Sequence, residues 1–321
     1  MTVPGGKRTR SSSSRNRLLN RGVPEHDRIV MDDLKWTLMG GGTAKPAPFL
    51  IAGILNITPD SFFDGGRYFS PERASSRARE LVKEGADIID VGGESTRPFS
   101  RPVGEEEELT RVLPVVRELR SSFPEVPLSV DTYRSGVAKQ ALEEGALIIN
   151  DVSACAFDPG LADVLAEYKP GYVLMHSRGR PEDMQVSPKY EHVLDEIGCF
   201  FEQKMESLVK AGLPEENIVL DPGIGFGKTL KHNLQILGGL KRFARLGRPL
   251  YIGLSNKSMW DKLLDLPLEE RNTATQAGTV LAAEGGASIH RVHDVRACRQ
   301  SLTIVSEARK AVSGLQSGKG K

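Results

Sequence analysis

Eight short apolar runs recur along the chain. Each ends in a polar residue and leads into a Gly- or Pro-marked loop and then an amphipathic segment. The runs are FLIAGILN (49–56), ADIIDVGG (86–93), PLSVD (127–131), ALIIND (146–151), GYVLMH (171–176), NIVLD (217–221), PLYIGLS (249–255) and ASIHRVH (287–293). Most are too apolar for strands with one wet face, so they read as parallel strands buried on both faces. Between them the period becomes helical. In EEEELTRVLPVVRELR, Leu109, Val112, Leu113 and Val116 fall on one helix face. Glu105 to Glu108 sit in its first turn, where the helix dipole favours negative charge, and read as a solvated charge run. Pro114 is expected to bend this helix. The segment RASSRARELVKEG ends at Gly85, a C-cap residue.

Strand–helix units repeated eight times predict an α/β fold, a (β/α)8 barrel in a single domain. An open doubly wound sheet is the structural alternative, but the chain lacks its glycine fingerprint. The stretch MDDLKWTLMGGGTAKP predicts a hairpin across the bottom of the barrel. The barrel is expected over 28–314, with disordered tails over 1–27 and 315–321. The first tail is Arg/Ser-rich and has no acidic residue before Glu25, a composition shared by disordered segments and transit peptides; the disordered reading is preferred.

Composition narrows the function classes. The 321 residues carry a formal net charge of +1, with 39% hydrophobic and 26% charged residues. Such balance gives no nucleic-acid surface, and no apolar run reaches the length of a membrane span. Cys155, Cys199 and Cys298 are odd in number and widely spaced. They argue against a disulfide framework, fit a reducing cytoplasm and read as buried spectators rather than catalytic thiols.

DPGIGFGKT (221–229) looks like a phosphate loop, but its spacing fails. A Walker A loop needs Gly at 222, where Pro222 stands, and Gly223, Gly225 and Gly227 alternate instead of following G-x-G-x-x-G. Lys228 receives no role here and reads as a solvated surface lysine.

In a (β/α)8 barrel the active site lies at the C-terminal strand ends, so the polar residue closing each run matters. These are Asn56, Glu94 with Ser95 and Thr96, Asp131, Asn150 with Asp151, His176, Asp221, Ser255 with Lys257, and Arg291 with His293. Each alone could be a helix cap or turn former; their convergence is what points to function. Asp131, Asn150 and Asp221 can accept and donate along the edge of a nitrogen heterocycle. Arg291, His293 and Asn56 suit an anion. The loop NITPDSFFDGG (56–66) carries two aromatics and two acids and reads as a functional loop. His290 and His293 are three apart on a strand and lie on opposite faces, which argues against a zinc pair. Mg2+ arriving with a phosphorylated substrate is the better metal reading.

Together GILNITPDSFFDGG, DVGGESTRP, SVDT, IINDVS, LMHSRG, LDPGIGFGKT, GLSNKSM and RVHDV, in order from 53 to 295, resemble the dihydropteroate synthase family of pterin-binding barrels. The resemblance implies a folate-pathway transferase. Such an enzyme condenses 6-hydroxymethyl-7,8-dihydropterin diphosphate with 4-aminobenzoate, by a dissociative route, to give 7,8-dihydropteroate and diphosphate. It also implies Mg2+, a homodimer and a sulfonamide target. By resemblance, Asp131, Asn150, Asp221 and Lys257 hold the pterin, with Met175 as a packing wall. Asn56, Arg291 and His293 hold the diphosphate, and Asn56 the metal. Thr96, Arg97, Pro98, Phe226 and Ser255 line the aminobenzoate pocket, while Asp60, Phe62 and Phe63 belong to a loop that closes over the site. Asp131, Lys257 and Asn56 are the catalytic candidates. Asn256 stands where the family commonly has Arg, and Phe99 where it commonly has Gly. Two other readings share the barrel: a pterin-binding homologue without turnover, and a pterin-dependent methyltransferase, which should lack the NITPDSFFDGG loop and the RVHDV anion site.

Overall fold

The eight apolar runs form eight parallel strands because β-rich segments without polar alternation can satisfy their backbone only in a sheet covered on both faces. The computed structural model describes residues 34–57, 71–95, 102–180 and 184–317. A hairpin of β1 (Trp36–Thr37) and β2 (Thr43–Ala44) precedes the barrel strands β3 (Leu50–Asn56), β4 (Ile88–Gly92), β5 (Leu128–Asp131), β6 (Ile148–Asp151), β7 (Gly171–Met175), β8 (Ile218–Asp221), β9 (Leu250–Gly253) and β10 (Ala287–Val292). They close in the order β10-β3-β4-β5-β6-β7-β8-β9. The doubly wound alternative is thereby excluded. The expected tail over 1–27 lies outside the described residues, as do Asp60, Phe62, Phe63, Thr96, Arg97, Pro98 and Phe99.

Helices cover the outer face: α1 (Pro71–Glu84), α2 (Glu105–Ser122), α3 (Ser135–Glu143), α4 (Leu161–Tyr168), α5 (Val193–Ala211), α6 (Leu230–Gly239), α7 (Ser258–Leu264), α8 (Asn272–Glu284) and α9 (Val295–Ser317). The last runs past the expected barrel end at 314. Pro114 lies inside α2, which continues through it to Ser122. Gly85 follows α1 with φ of 101°, as its capping role requires.

One expectation about α2 fails. A solvated run is expected over Glu105 to Glu108, but Glu108 is fully buried. The reason is helical phase. Glu108 is one turn before Val112, which lies on the buried face with Val115, Val116 and Leu119. Its carboxylate is paired with Arg134.

Inside the barrel the strand period of two separates two layers. The lower is apolar: Ala52, Ile88, Ile148, Val173, Val219, Tyr251 and Ile289 pack with Trp36 and Leu38 of the hairpin. The hairpin is therefore the bottom plug anticipated from its sequence. Trp36 Nε1 donates to the Asn217 carbonyl at 2.8 Å, satisfying its one polar atom. Trp36→Ala is expected to lower unfolding stability by about 3–5 kcal/mol, read as a drop in the urea midpoint.

Candidate active site

Above the apolar layer the lumen turns polar. Period two places Asp90 and Gly92 of β4 on the face of Ile88, and Asp131 of β5 on the face of Ser129. Register then aligns the strand ends: Asn56 pairs with Gly92, Gly92 with Asp131, and Asp131 with Asn150. Four neighbouring strands thus carry these residues to one level of the mouth.

Arg291 of β10 reaches across this level. Its Nε lies 2.5 Å from Asp90 Oδ2 and its Nη2 lies 2.7 Å from Asp131 Oδ2. Asp90 is fully buried and also accepts from Ser129 Oγ at 2.5 Å and Asn150 Nδ2 at 3.1 Å. Asn150 is thereby oriented, because its amide nitrogen is committed to Asp90. Burial pushes the Asp131 carboxyl up to about 7; Arg291 opposes the rise, while Asp90, Glu108 and Asp151 add to it. Burial also opposes the charge on Arg291, but Asp90 and Asp131 more than offset this and hold it above an ordinary guanidinium.

The DPGIGFGKT turn follows β8. Gly223, Gly225 and Gly227 adopt φ of 67°, 86° and 63°, left-handed values that glycine takes without strain. A Cβ on Gly223 would collide with the His176 carbonyl, and one on Gly227 with the Arg178 carbonyl. The turn also folds back on its strand, since Gly223 N donates to Asp221 Oδ1 at 2.7 Å. This brings Phe226 beneath Lys257, whose Nζ is 4.2 Å from the ring centroid, a cation–π contact. Burial raises Asp221 to about 6, with Gly223 N–H, Lys257, Lys228 and Arg291 opposing. It draws Lys257 down to about 8, with Asp221 opposing.

Lys228 is not a surface residue. It is 1% exposed, and its ammonium donates to His176 Nδ1 at 3.0 Å, His176 O at 3.1 Å and Phe226 O at 2.9 Å. The tight glycine turn points it inward, which its exposed-looking sequence context gave no sign of. The cysteine reading needs a similar correction. Cys298 is buried and Cys155 partly so, but Cys199 is exposed on α5.

The mouth thus gathers Asn56, Asp131, Asn150, Met175, Asp221, Lys257 and Arg291 at the strand ends. Met175 packs with Tyr133 and Val152, flanked by Phe157 and Phe226, as one apolar wall. Arg291 is turned toward the two carboxylates, whereas His293 Nδ1 lies 2.9 Å from Ser255 Oγ. His293 and Ser255, read as belonging to different ligand ends, therefore meet. Asp151 has the duller role: it accepts from Ser153 N at 2.7 Å and Cys155 N at 2.6 Å, a turn-forming pattern.

Sequence reading missed Asp90, although a carboxylate inside an apolar strand run, two residues after Ile88, was a usable signal. It also missed Arg134. That guanidinium bonds Glu94 Oε2 at 2.7 Å, Glu108, and the Val103 carbonyl at 2.5 Å. Val103 N in turn donates to Glu94 at 3.3 Å. These bonds fasten the chain at 103 to the end of β4.

Among the described residues no group of three or more His, Cys, Asp or Glu is placed to hold a metal. Hard oxygen donors do face one another over Gly92, however. A Cβ there would lie 3.6 Å from Asn56 Oδ1 and 3.9 Å from Asp131 Oδ2. An amide oxygen beside a carboxylate suits Mg2+ that brings its remaining ligands from phosphate and water.

The raised Asp221 carboxyl has a consequence for stability. Between 3.8 and about 6, the folded protein keeps a proton that the unfolded chain has released. The native state binds more protons there, so stability falls as pH rises through that window. Asp221→Asn removes the titration. The variant is expected to gain on wild type between pH 4 and 7 by on the order of 3 kcal/mol, measured by urea unfolding at both ends of the range.

The sequence profile described as pterin binding enzyme matches residues 52–293. The chain is 44% identical over 247 residues to the dihydropteroate synthase of Bacillus subtilis (strain 168), covering 77% of this chain and 84% of that one. Among solved structures, a Yersinia pestis dihydropteroate synthase with a sulfonamide drug complex matches with a TM-score of 0.82 at 40% identity, covering 86% of this chain and 100% of that one. A Xanthomonas albilineans dihydropteroate synthase with 4-aminobenzoic acid matches with a TM-score of 0.79 at 38% identity, over 85% of this chain and 98% of that one. With this identity carried over most of both chains, and the polar barrel mouth built from the matched strands, the chain belongs to the dihydropteroate synthase family of pterin-binding enzymes.

Proposed function

We propose that this chain condenses 6-hydroxymethyl-7,8-dihydropterin diphosphate with 4-aminobenzoate, giving 7,8-dihydropteroate and diphosphate. The observation that carries the reading is the convergence of Asp131, Asn150 and Asp221 at the ends of β5, β6 and β8, with Arg291 bonded to the first. The carboxylates can accept paired N–H bonds from an amino-oxo ring edge, and Asn150, whose nitrogen is held by Asp90, presents its oxygen as a further acceptor. Met175 and its apolar neighbours form the face against which the ring packs.

The bond from the exocyclic methylene carbon to the diphosphate oxygen breaks first, and its electron pair leaves with diphosphate. The lone pair of the arylamine then forms the new C–N bond, and the nitrogen gives up a proton. Arg291 and His293 stabilise the departing charge. The Asp131 carboxylate faces the cation left on the pterin as an opposite charge. Asn56 and Asp131 are the oxygens that would hold Mg2+, which when bound neutralises charge on the leaving group. Phe226 and Ser255 face the aminobenzoate end. The Thr96, Arg97 and Pro98 share of that pocket and the Asp60, Phe62 and Phe63 loop closure lie outside the described residues and stand as part of the proposal.

A second copy of the chain is part of the same reading. Leu281 of α8 and Ile304 of α9, 59% and 71% exposed, are where such a partner gains apolar burial.

A coupled diphosphate-release assay tests the function. Release is expected only with both substrates present, and release independent of 4-aminobenzoate contradicts it. Asp221→Ala is expected to abolish calorimetric binding of the pterin substrate. Arg291→Ala is expected to lower kcat by about 100- to 1,000-fold, the range for losing a group that stabilises developing charge.

A further inference from the structure

Lys228 is the one strongly placed group of DPGIGFGKT that the proposed chemistry leaves unused. Its three ammonium donors meet three acceptors: His176 Nδ1, His176 O and Phe226 O. A donor–acceptor match this complete is what a buried charge requires. His176 is itself buried, and burial with the nearby cations of Lys228 and Arg178 holds its imidazole neutral, down to about 2. With the Lys228 ammonium as the donor beside it, Nδ1 is the acceptor nitrogen of that neutral ring. Burying an ammonium is costly, and a methionine of similar length would fill the space without that cost. The location argues for a purpose. All three acceptors belong either to the end of β7 or to the turn that carries Phe226, and the Lys228 ammonium approaches within 3.3 Å of where a Cβ on Gly223 would stand.

We propose that Lys228 is a positioning residue for the ring-edge pocket: its ammonium locks the glycine turn against His176 and sets positive charge beside Gly223, whose N–H bonds Asp221. The proposal deepens the pterin reading above and rests on it for the identity of the ligand. The charges of both lysines act on Asp221. Lys257 approaches from the loop after β9, on the side of Phe226, and Lys228 from its own turn. Arg291 of β10 adds a third positive charge, and Gly223 N–H a hydrogen bond. Burial draws Lys228 down to about 7, with Asp221 opposing the fall and Lys257 and Arg178 adding to it, so its charge is fullest on the acid side of neutrality. Locking the turn also fixes the Phe226 carbonyl, and so the ring on which Lys257 rests. Lys228 touches no reacting atom; it acts through Asp221 and Phe226.

Lys228→Met and Lys228→Gln remove the charge, and the glutamine keeps hydrogen-bond donors should the methionine variant not fold. Carbonyl-13C aspartate labelling, with the Asp221 signal assigned by its loss in Asp221→Asn, reads the titration of that carboxyl in the ligand-free protein. Calorimetry with 7,8-dihydropteroate from pH 5.5 to 9 reads binding. The Asp221 midpoint is expected to rise by about one unit or more, the size of effect a nearby opposite charge has. The protonated carboxyl can no longer accept both N–H groups of the ring edge, because one of its oxygens has become a donor. The ratio of variant to wild-type Kd is therefore expected to be largest at the acid end of the range, several-fold or more at pH 5.5 to 6, and to shrink toward one above pH 8. An unmoved Asp221 midpoint, or a Kd ratio that is the same at every pH, overturns the proposal. Wild type that binds no dihydropteroate while the Asp221 midpoint still moves in Lys228→Gln overturns the ligand reading alone and leaves the charge relation standing.

Discussion

Arg291 is one cation held between two buried carboxylates, Asp90 and Asp131, and the chemistry of the barrel mouth depends on that arrangement. Two carboxylates in a lumen of low polarity cannot both stay ionised without a counter-charge. Arg291 supplies it with a planar fork whose separate nitrogens engage both acids at once. Ser129 and Asn150 occupy remaining acceptor capacity of Asp90, so the buried network is closed around it. The apolar layer below, capped by Trp36 and Leu38, keeps water from entering underneath. The polar layer therefore opens only toward the strand ends, where a substrate arrives.

The arrangement carries more negative than positive character around Asp131, whose carboxyl burial raises to about 7. On the other side of the mouth, Lys257 and Lys228 are drawn down to about 8 and 7 by the same loss of hydration. The site is poised on both sides: acids reluctant to ionise and bases reluctant to stay protonated. A ligand that brings N–H donors to the carboxylates relieves the cost of ionising them, which is how binding energy can be directed to the charged steps of a reaction. The glycine turn after β8 serves the same end mechanically. Only residues without a Cβ let it approach the β7 carbonyls closely enough to carry Phe226 under Lys257.

Most of the fold was legible because apolar strand runs and helical periodicity are local signals, and their alternation admits few architectures. The strand-end rule points to Asn56, Asp131, Asn150, Asp221 and Lys257, and the register sets the first three at one level. The misses share one cause. Lys228, Glu108 and Asp90 are charged residues that tertiary neighbours made affordable to bury, and composition alone reads a charge as solvated. Glu108 was recoverable from its phase with Val112. Asp90 was recoverable from its place in an apolar run. Lys228 was not, because its partners His176 and Phe226 come together only when the left-handed turn folds back.

Sequence by itself determined the strand–helix order, the bottom hairpin and the motif set that marks the family, since each rests on residue type and spacing along the chain. Tertiary structure decided which polar groups meet: that Arg291 spans Asp90 and Asp131, that His293 meets Ser255, and that Lys228 is enclosed against His176 and the Phe226 carbonyl. The physical reason is closure. Asp90 and Arg291 are 201 positions apart and become neighbours only because the last strand pairs with the first around the barrel, a contact that no local pattern encodes.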